Sequence, residues 1–269
     1  MLRSVSAHLQ LDIRGRTNMV FSLAVAQTNT LSSESLDIVL DGRRVEPTEI
    51  VDRHGTRLHR LVADAGTMTV DYRAETTGAP DPTTSGLSDE SELDQIVYLR
   101  PSRYCESDSL TPTARSEFAG LSGLALLDAV GSWVGSRLRY VPGSSLPTDG
   151  AEQTLLARRG VCRDYAHLVI ALLRALDIPA RMVAVYAPGL DPMDFHAVCE
   201  AYVDGRWNIV DATALAPRQS LVRISTGRDA ADTAFLTNHW ADLYLTEMTV
   251  LAVADELPVD DVRSLVQLG

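Results

Sequence analysis

Three side chains that could together carry out covalent acyl transfer stand in order along the 269-residue chain: the thiol of Cys162, the imidazole of His196 and the carboxylate of Asp211. Cys162 follows Gly160-Val161 and opens a run, to about Leu176, that is apolar nearly all round. Such a pattern predicts a buried helix with the thiol at its first turn. At that position free backbone N–H groups and the helix dipole favour a thiolate. The same residue could equally be a small apolar filler behind the helix.

The other two residues are linked by a hairpin. Strand-like runs from Phe195 to Val203 and from Arg206 to Ala212 flank Asp204-Gly205, a strong two-residue turn signal. Pairing about that turn sets His196 opposite Thr213, which makes Asp211 its diagonal neighbour on the same sheet face, with Cα atoms roughly 7 to 8 Å apart. Cys199, an odd step from His196, faces the other way. A carboxylate on one imidazole nitrogen fixes the tautomer and leaves the other nitrogen to take a proton from a thiol. Each residue also has a plain structural reading: His196 as a strand histidine with a satisfied partner, Asp211 as a turn residue capping Thr213. A Cys-His-Asp zinc set is a further alternative, although no CxxC or HxxxH spacing reinforces it.

Other reactive side chains carry less pattern. Asp164 and His167, three apart on one helix face, could shape the site or bond each other. Cys105 reads as an inert thiol, and Trp133, Trp207 and Trp240 as core residues or as the lining of a substrate cleft. His8, His54, His59 and His239 show no partner pattern.

These residues need elements to hold them. From Ser4 to about Ala74 apolar residues alternate, as in Val5, Ala7, Leu9, Leu11, Ile13 and again Met68, Val70, Tyr72, Ala74, so an antiparallel β region is expected. Thr76 to Leu93 reads as a loop, and Gln95 to Leu99 as a last short strand. After Pro112 the period turns helical through Leu124, Leu127, Val134 and Leu138. A second helix is expected from Asp149, with Glu152 as its capping partner and Gly160 as its stop. Ala180 to Ala187 and Leu243 to Val253 complete the strands of the second half. The organisation expected is a β-rich N-terminal domain over residues 1–105 and an α+β domain over residues 106–269, helix bundle packed on antiparallel sheet.

Composition excludes several chemistries. The chain has no lysine, 24 arginines and 36 acidic residues, for a net charge of −12. Schiff-base chemistry and the P-loop both need a lysine and are excluded. The acidic surplus lacks the basic stripe a nucleic-acid binder requires. Arg3, Asp12, Arg14 and Arg16 interrupt the first twenty residues, and no run approaches a membrane span, so a cytoplasmic protein without leader or membrane segment is expected. Three cysteines without close pairs fit a reducing compartment. No cofactor and no resident metal are expected.

The segment Gly160-Val161-Cys162-Arg163-Asp164-Tyr165-Ala166-His167-Leu168, followed by Ala175-Leu176-Asp177-Ile178-Pro179-Ala180-Arg181, resembles the nucleophile segment of the bacterial transglutaminase-like superfamily. Phe195-His196-Ala197 and Trp207-Asn208-Ile209-Val210-Asp211-Ala212-Thr213 are similar to its histidine and aspartate segments, in the same order. Val198-Cys199 departs from the aromatic usual after His-Ala. The resemblance covers roughly residues 112 to 245, and Tyr98-Leu99-Arg100-Pro101-Ser102-Arg103-Tyr104 is similar to the β-rich domain often joined to this core. It implies a papain-like fold with Cys162 as nucleophile, His196 as base and Asp211 as orienter, acting on a peptide or protein amide through a thioester. Water would then make the protein a peptidase or amidase, the reading preferred here. An external amine would make it a transglutaminase, since the chain has no lysine for its own thioester to capture. A non-catalytic peptide-binding module on the same fold is the remaining alternative, and the oligomeric state is left open.

Overall fold

The computed structural model describes residues 1–77, 92–261 and 264–268. The chain opens with strands β1 (Leu2–Ile13), β2 (Thr17–Phe21), β3 (Leu31–Leu40), β4 (Arg43–Arg44), β5 (Thr48–Val51), β6 (Arg57–Ala63) and β7 (Gly66–Thr77). Alternation builds them. In β1 every second side chain from Val5 to Ile13 is buried, and in β7 the buried set is Met68, Val70, Tyr72 and Ala74. The two strands pair antiparallel with Leu9 opposite Val70, so both apolar rows face one side. Met19 and Phe21 from β2 and Ala63 from β6 bury themselves in the same cluster, which joins two sheets across one core.

The loop expected over Thr76 to Leu93 lies mostly outside the described residues; Thr76 and Thr77 end β7, and Glu92 and Leu93 begin a helix. Gln95 to Leu99 is not a strand: it belongs to α1 (Glu92–Leu99). Glu92 and Asp94 in its first turn suit a helix N-terminus. Tyr98 then packs edge-on to Trp207 at 5.6 Å and its hydroxyl meets His54 Nε2 at 2.8 Å, contacts invisible to a local pattern.

Helices follow. α2 (Ser107–Glu117) starts before Pro112 and contains it, because buried Leu110 and Ala114 carry its packing. α3 (Gly123–Arg137) buries Leu126, Leu127, Val130 and Val134. β8 (Arg139–Tyr140) leads into α4 (Ala151–Ala157). Asp149 does not cap α4. Glu106, distant in sequence, accepts the Ala151 N–H at 2.9 Å, while Asp149 accepts that of Leu146. The helix ends at left-handed Arg158, ahead of Gly160, which sits in β9 (Arg159–Gly160) paired parallel with β8. α5 (Cys162–Arg174) runs buried from Asp164 to Arg174, packed among α2, α3, α4 and the sheet beneath.

That sheet contains β10 (Ala180–Tyr186), β11 (Phe195–Val203), β12 (Arg206–Val210) and β13 (Val222–Gly227), in the order β12-β11-β10-β13. Met182, Cys199 and Ala201 face α5, whereas Val183, Val185, Val198 and Ile209 form a second cluster on the opposite side. A short helix α6 (Ala230–Thr233) precedes β14 (Leu236–His239) and β15 (Leu243–Ala254). β15 does not join the sheet of the second half. It pairs with β1, Val5 opposite Ala252, and β14 pairs with β2, so the C-terminal strands close the N-terminal sheets. Strand partners depend on non-local pairing, which periodicity does not encode. Among the described residues no helix is long and apolar enough to cross a membrane.

Candidate active site

The start of α5 is built around a carboxylate. Asp164, fully buried, accepts the Val161 N–H at 2.8 Å, while its own N–H donates to Val161 O at 2.9 Å. This reciprocal bond closes the first turn and sets the backbone of Cys162. Gly160 is required just before it: a Cβ there would lie 2.6 Å from Asp164 Cβ and 2.8 Å from Oδ2. Arg163 Nη2 donates to Asp164 Oδ1, to Ser145 Oγ and to Leu146 O, each at 3.0 Å, tying the loop after β8 to the helix start. Cys162 itself is half-buried, its Sγ 4.0 Å from Phe195 O at the first residue of β11.

The second half of the site comes from the hairpin. Val203 pairs with Arg206 and Cys199 with Val210, so a two-residue loop connects β11 and β12. Asp204 and Gly205 occupy it with φ of 55° and 76°, the primed turn that a right-twisted hairpin favours. His196 Nε2 meets Asp211 Oδ2 at 2.8 Å, with both side chains buried. The other oxygen, Asp211 Oδ1, accepts the Thr213 N–H at 2.9 Å and the Thr213 hydroxyl at 2.6 Å. Asp211 thus fills both of its alternatives at once, partner to the imidazole and cap of the turn. With each of its oxygens engaged in this way, it is poorly disposed to ligate a metal with the other two residues.

Electrostatics couples the three. Burial alone would lower the His196 value, but the charge and hydrogen bond of Asp211, followed by the influence of Cys162, lift it to about 10. Burial would raise Asp211, yet His196 and then Thr213 hold it below the usual carboxylate range. His196 Nδ1 is buried, has no hydrogen-bond partner among the described residues, and carries a proton at neutral pH, since the ring's value is about 10. The structure therefore brings Cys162, His196 and Asp211 together.

The remaining candidates separate from this group. Asp164 and His167 do not bond each other: His167 Nε2 accepts the Ala230 N–H at 3.1 Å and its ring stacks on Tyr104. Burial pushes His167 down to about 3, so it is a neutral packing residue. Cys105 and Cys199 are buried, and burial drives both thiols upward. Trp133 packs on Phe118, Trp207 lies under Arg181 and beside Tyr98, and Trp240 is exposed. Sequence reasoning passed over Tyr140, which the β8–β9 ladder sets opposite Gly160, two residues before Cys162; its two-residue strand has no periodicity to reveal it.

A sequence profile described as the transglutaminase-like superfamily matches residues 119–212, a span that includes all three residues. A solved structure from Cytophaga hutchinsonii named "Putative Cysteine Protease" is 33% identical and superposes with a TM-score of 0.84, covering 96% of this chain and 92% of that one. An uncharacterized protein of Mycobacterium leprae is 30% identical over 131 residues, 46% of this chain and 47% of its own length. One from Mycobacterium tuberculosis H37Rv is 33% identical over 108 residues, 35% of this chain and 34% of that protein. The matches thus span about half or less of these mycobacterial relatives.

Proposed function

Because this chain belongs to the transglutaminase-like superfamily, we propose that it is a thiol enzyme that cleaves or transfers amide-linked acyl groups, with Cys162 as nucleophile, His196 as general base and then acid, and Asp211 as the residue that orients the imidazole. The observation that carries this reading is the 2.8 Å His196–Asp211 bond, made by Nε2, with Nδ1 of the same ring bound to no other group and the charge of Cys162 acting on the ring. The proton shared by Cys162 and His196 sits on His196 Nδ1 as sulfur attacks the acyl carbon. The Cys162 backbone N–H, at a helix start, faces the developing oxyanion. The imidazolium, stabilised by Asp211, then protonates the leaving amine, and a thioester remains.

Water resolving that thioester makes the protein a peptidase or amidase, and this is the outcome we favour; the likeness over nearly the full chain to the Cytophaga hutchinsonii protein supports it. An external amine resolving it would make the protein a transglutaminase. The substrate class is a peptide or protein amide.

Alkylation by iodoacetamide at pH 7 tests the nucleophile. Cys162 is expected to label stoichiometrically, Cys105 and Cys199 not at all in the folded protein, and His196→Ala is expected to slow the reaction about tenfold or more. Labelling of Cys162 at an unchanged rate in His196→Ala would refute the assignment. Reaction of the acyl-enzyme in ¹⁸O-water with and without an added primary amine, read by mass spectrometry, separates hydrolysis from transfer.

A further inference from the structure

Four arginines crowd the segments that lead to the nucleophile. Arg139 in β8 and Arg159 in β9 are register partners of the parallel ladder, so their side chains leave the same face one strand spacing, about 4.8 Å, apart. Arg137 is the last residue of α3, and Arg158 ends α4 in the left-handed conformation, its carbonyl accepting the Arg139 N–H at 3.1 Å. All four are exposed. Elsewhere arginines sit on carboxylates: Arg57 on Glu34 and Glu49, Arg218 on Asp260, Arg228 on Asp232, and Arg163, next to Cys162, on Asp164. Among the described residues no carboxylate lies within ion-pair distance of Arg137, Arg139, Arg158 or Arg159, although the chain carries 36 acidic side chains. Arg137 has a ring partner, Trp133, at 5.3 Å.

Stability does not call for this arrangement. A cation at the C-terminal end of a helix offsets the dipole, which accounts for Arg137 and Arg158. Arg139 and Arg159 belong to strands, whose dipoles are small, and like charges on facing strand positions repel. Their place in the chain is informative. Arg159 stands three residues before Cys162, so the two Cα atoms lie at most about 11 Å apart.

We propose that Arg139, Arg158 and Arg159 form a subsite for acidic side chains of a peptide substrate, carried about two to four residues from the amide that Cys162 attacks. This inference rests on the thiol-enzyme reading above and adds the sign of the substrate's charge. An extended peptide advances about 3.3 Å per residue, so about three residues span the distance from the nucleophile to the ladder. Guanidinium forks meet carboxylates through two parallel hydrogen bonds, and an arginine stays charged at every pH the protein meets. The occupant is a short acidic segment rather than a long polyanion. A net charge of −12 repels a nucleic acid or an anionic bilayer as a whole, while attraction to the patch acts within a Debye length of about 10 Å.

The test is binding of fluorescein-labelled hexaglutamate, read by anisotropy, beside protection of Cys162 from iodoacetamide by the same peptide unlabelled. Wild type is expected to bind hexaglutamate and not hexaserine, the bound peptide to slow alkylation, and added salt to weaken both effects. In the double variant Arg139→Gln, Arg159→Gln the Kd should rise about tenfold or more and protection should vanish. Its thermal midpoint should be no lower than that of wild type, since a repulsive pair has been removed. Binding that the double substitution leaves unchanged would overturn the proposal. So would binding that leaves Cys162 alkylation at full rate, which would put the peptide away from the nucleophile, and tighter binding of oligothymidylate or phosphatidylserine vesicles, which would assign the patch to another anion. A lowered thermal midpoint together with lost binding would make the arginines structural and would overturn it too. Failure of the underlying reading looks different: hexaglutamate would still bind and protect, while Cys162 in His196→Ala would label at the wild-type rate.

Discussion

His196 owes its chemistry to its neighbours. An isolated imidazole titrates near 6.5, and burial would depress it further; Asp211 and Cys162 reverse this and carry it to about 10. The sign sets the pH behaviour. A raised value means the imidazolium survives as pH climbs to about 10 and is lost above that. In Asp211→Asn the counter-charge is gone, so the imidazolium should be lost at much lower pH. Ring titration by ¹⁵N NMR should show the His196 midpoint falling from about 10 toward 6.5, and Cys162 alkylation at pH 8 should slow. An unmoved midpoint would mean that Asp211 does not control this ring. Thr213 shares the work by engaging the second carboxylate oxygen, which keeps Asp211 from turning away.

The elements act as positioning devices. The hairpin's two-residue turn decides on which face Asp211 emerges, and α5 decides where the thiol points. Gly160, Val161 and Asp164 form the joint between β9 and α5, and the joint has no room for a methyl group at 160. Gly160→Ala is expected to displace the Asp164 carboxylate and to cost about 1 to 3 kcal/mol, the range for overpacking, measured by chemical denaturation. The same substitution should slow alkylation of Cys162. A stable variant with full thiol reactivity would show that the Asp164–Val161 bond does not position the nucleophile. Arg174 at the far end of α5 is anchored to four partners, Ala180 O, Arg100 O, Ser102 Oγ and Arg228 O, so the helix is fixed at both ends.

In the whole molecule the N-terminal strands and the second half of the chain are interlocked. β14 and β15 return to pair with β2 and β1, and Tyr186, Val222 and Ile224 bury themselves in the N-terminal core. Tyr186 donates to Leu23 O at 2.9 Å, and Met193 Sδ, three residues before His196, accepts the Ala252 N–H of β15 at 3.4 Å. The segment leading into β11 and His196 is therefore braced against the sheet that β1 organises. Residues 106–269 expressed alone would leave both C-terminal strands unpaired and this apolar surface exposed. That fragment is expected to be insoluble or to lack a cooperative thermal transition by circular dichroism. A soluble fragment with a sharp transition would show that the N-terminal strands are dispensable for folding.

Local rules made much of this protein legible. The buried helix after Cys162, the alternating strands β1 and β7, and the Asp204-Gly205 turn each follow from periodicity or turn chemistry confined to a few residues. Parity about that turn was enough to make His196 and Asp211 neighbours, because side-chain direction in a paired hairpin is set by counting. What counting cannot supply is contact between segments far apart in the chain. Gln95 to Leu99 has a strand's composition and becomes a helix because Tyr98 docks between His54 and Trp207. Glu106 replaces Asp149 as the cap of α4 across more than forty residues. β15 leaves the half in which it is encoded to pair with β1, and Tyr140 lies opposite Gly160 only because a two-residue parallel ladder joins segments about twenty residues apart. The sequence by itself determined the residues able to do chemistry and the elements that carry them. Only the tertiary structure decided their partners, because hydrogen bonds, burial and charge act through space, where separation along the chain has no meaning.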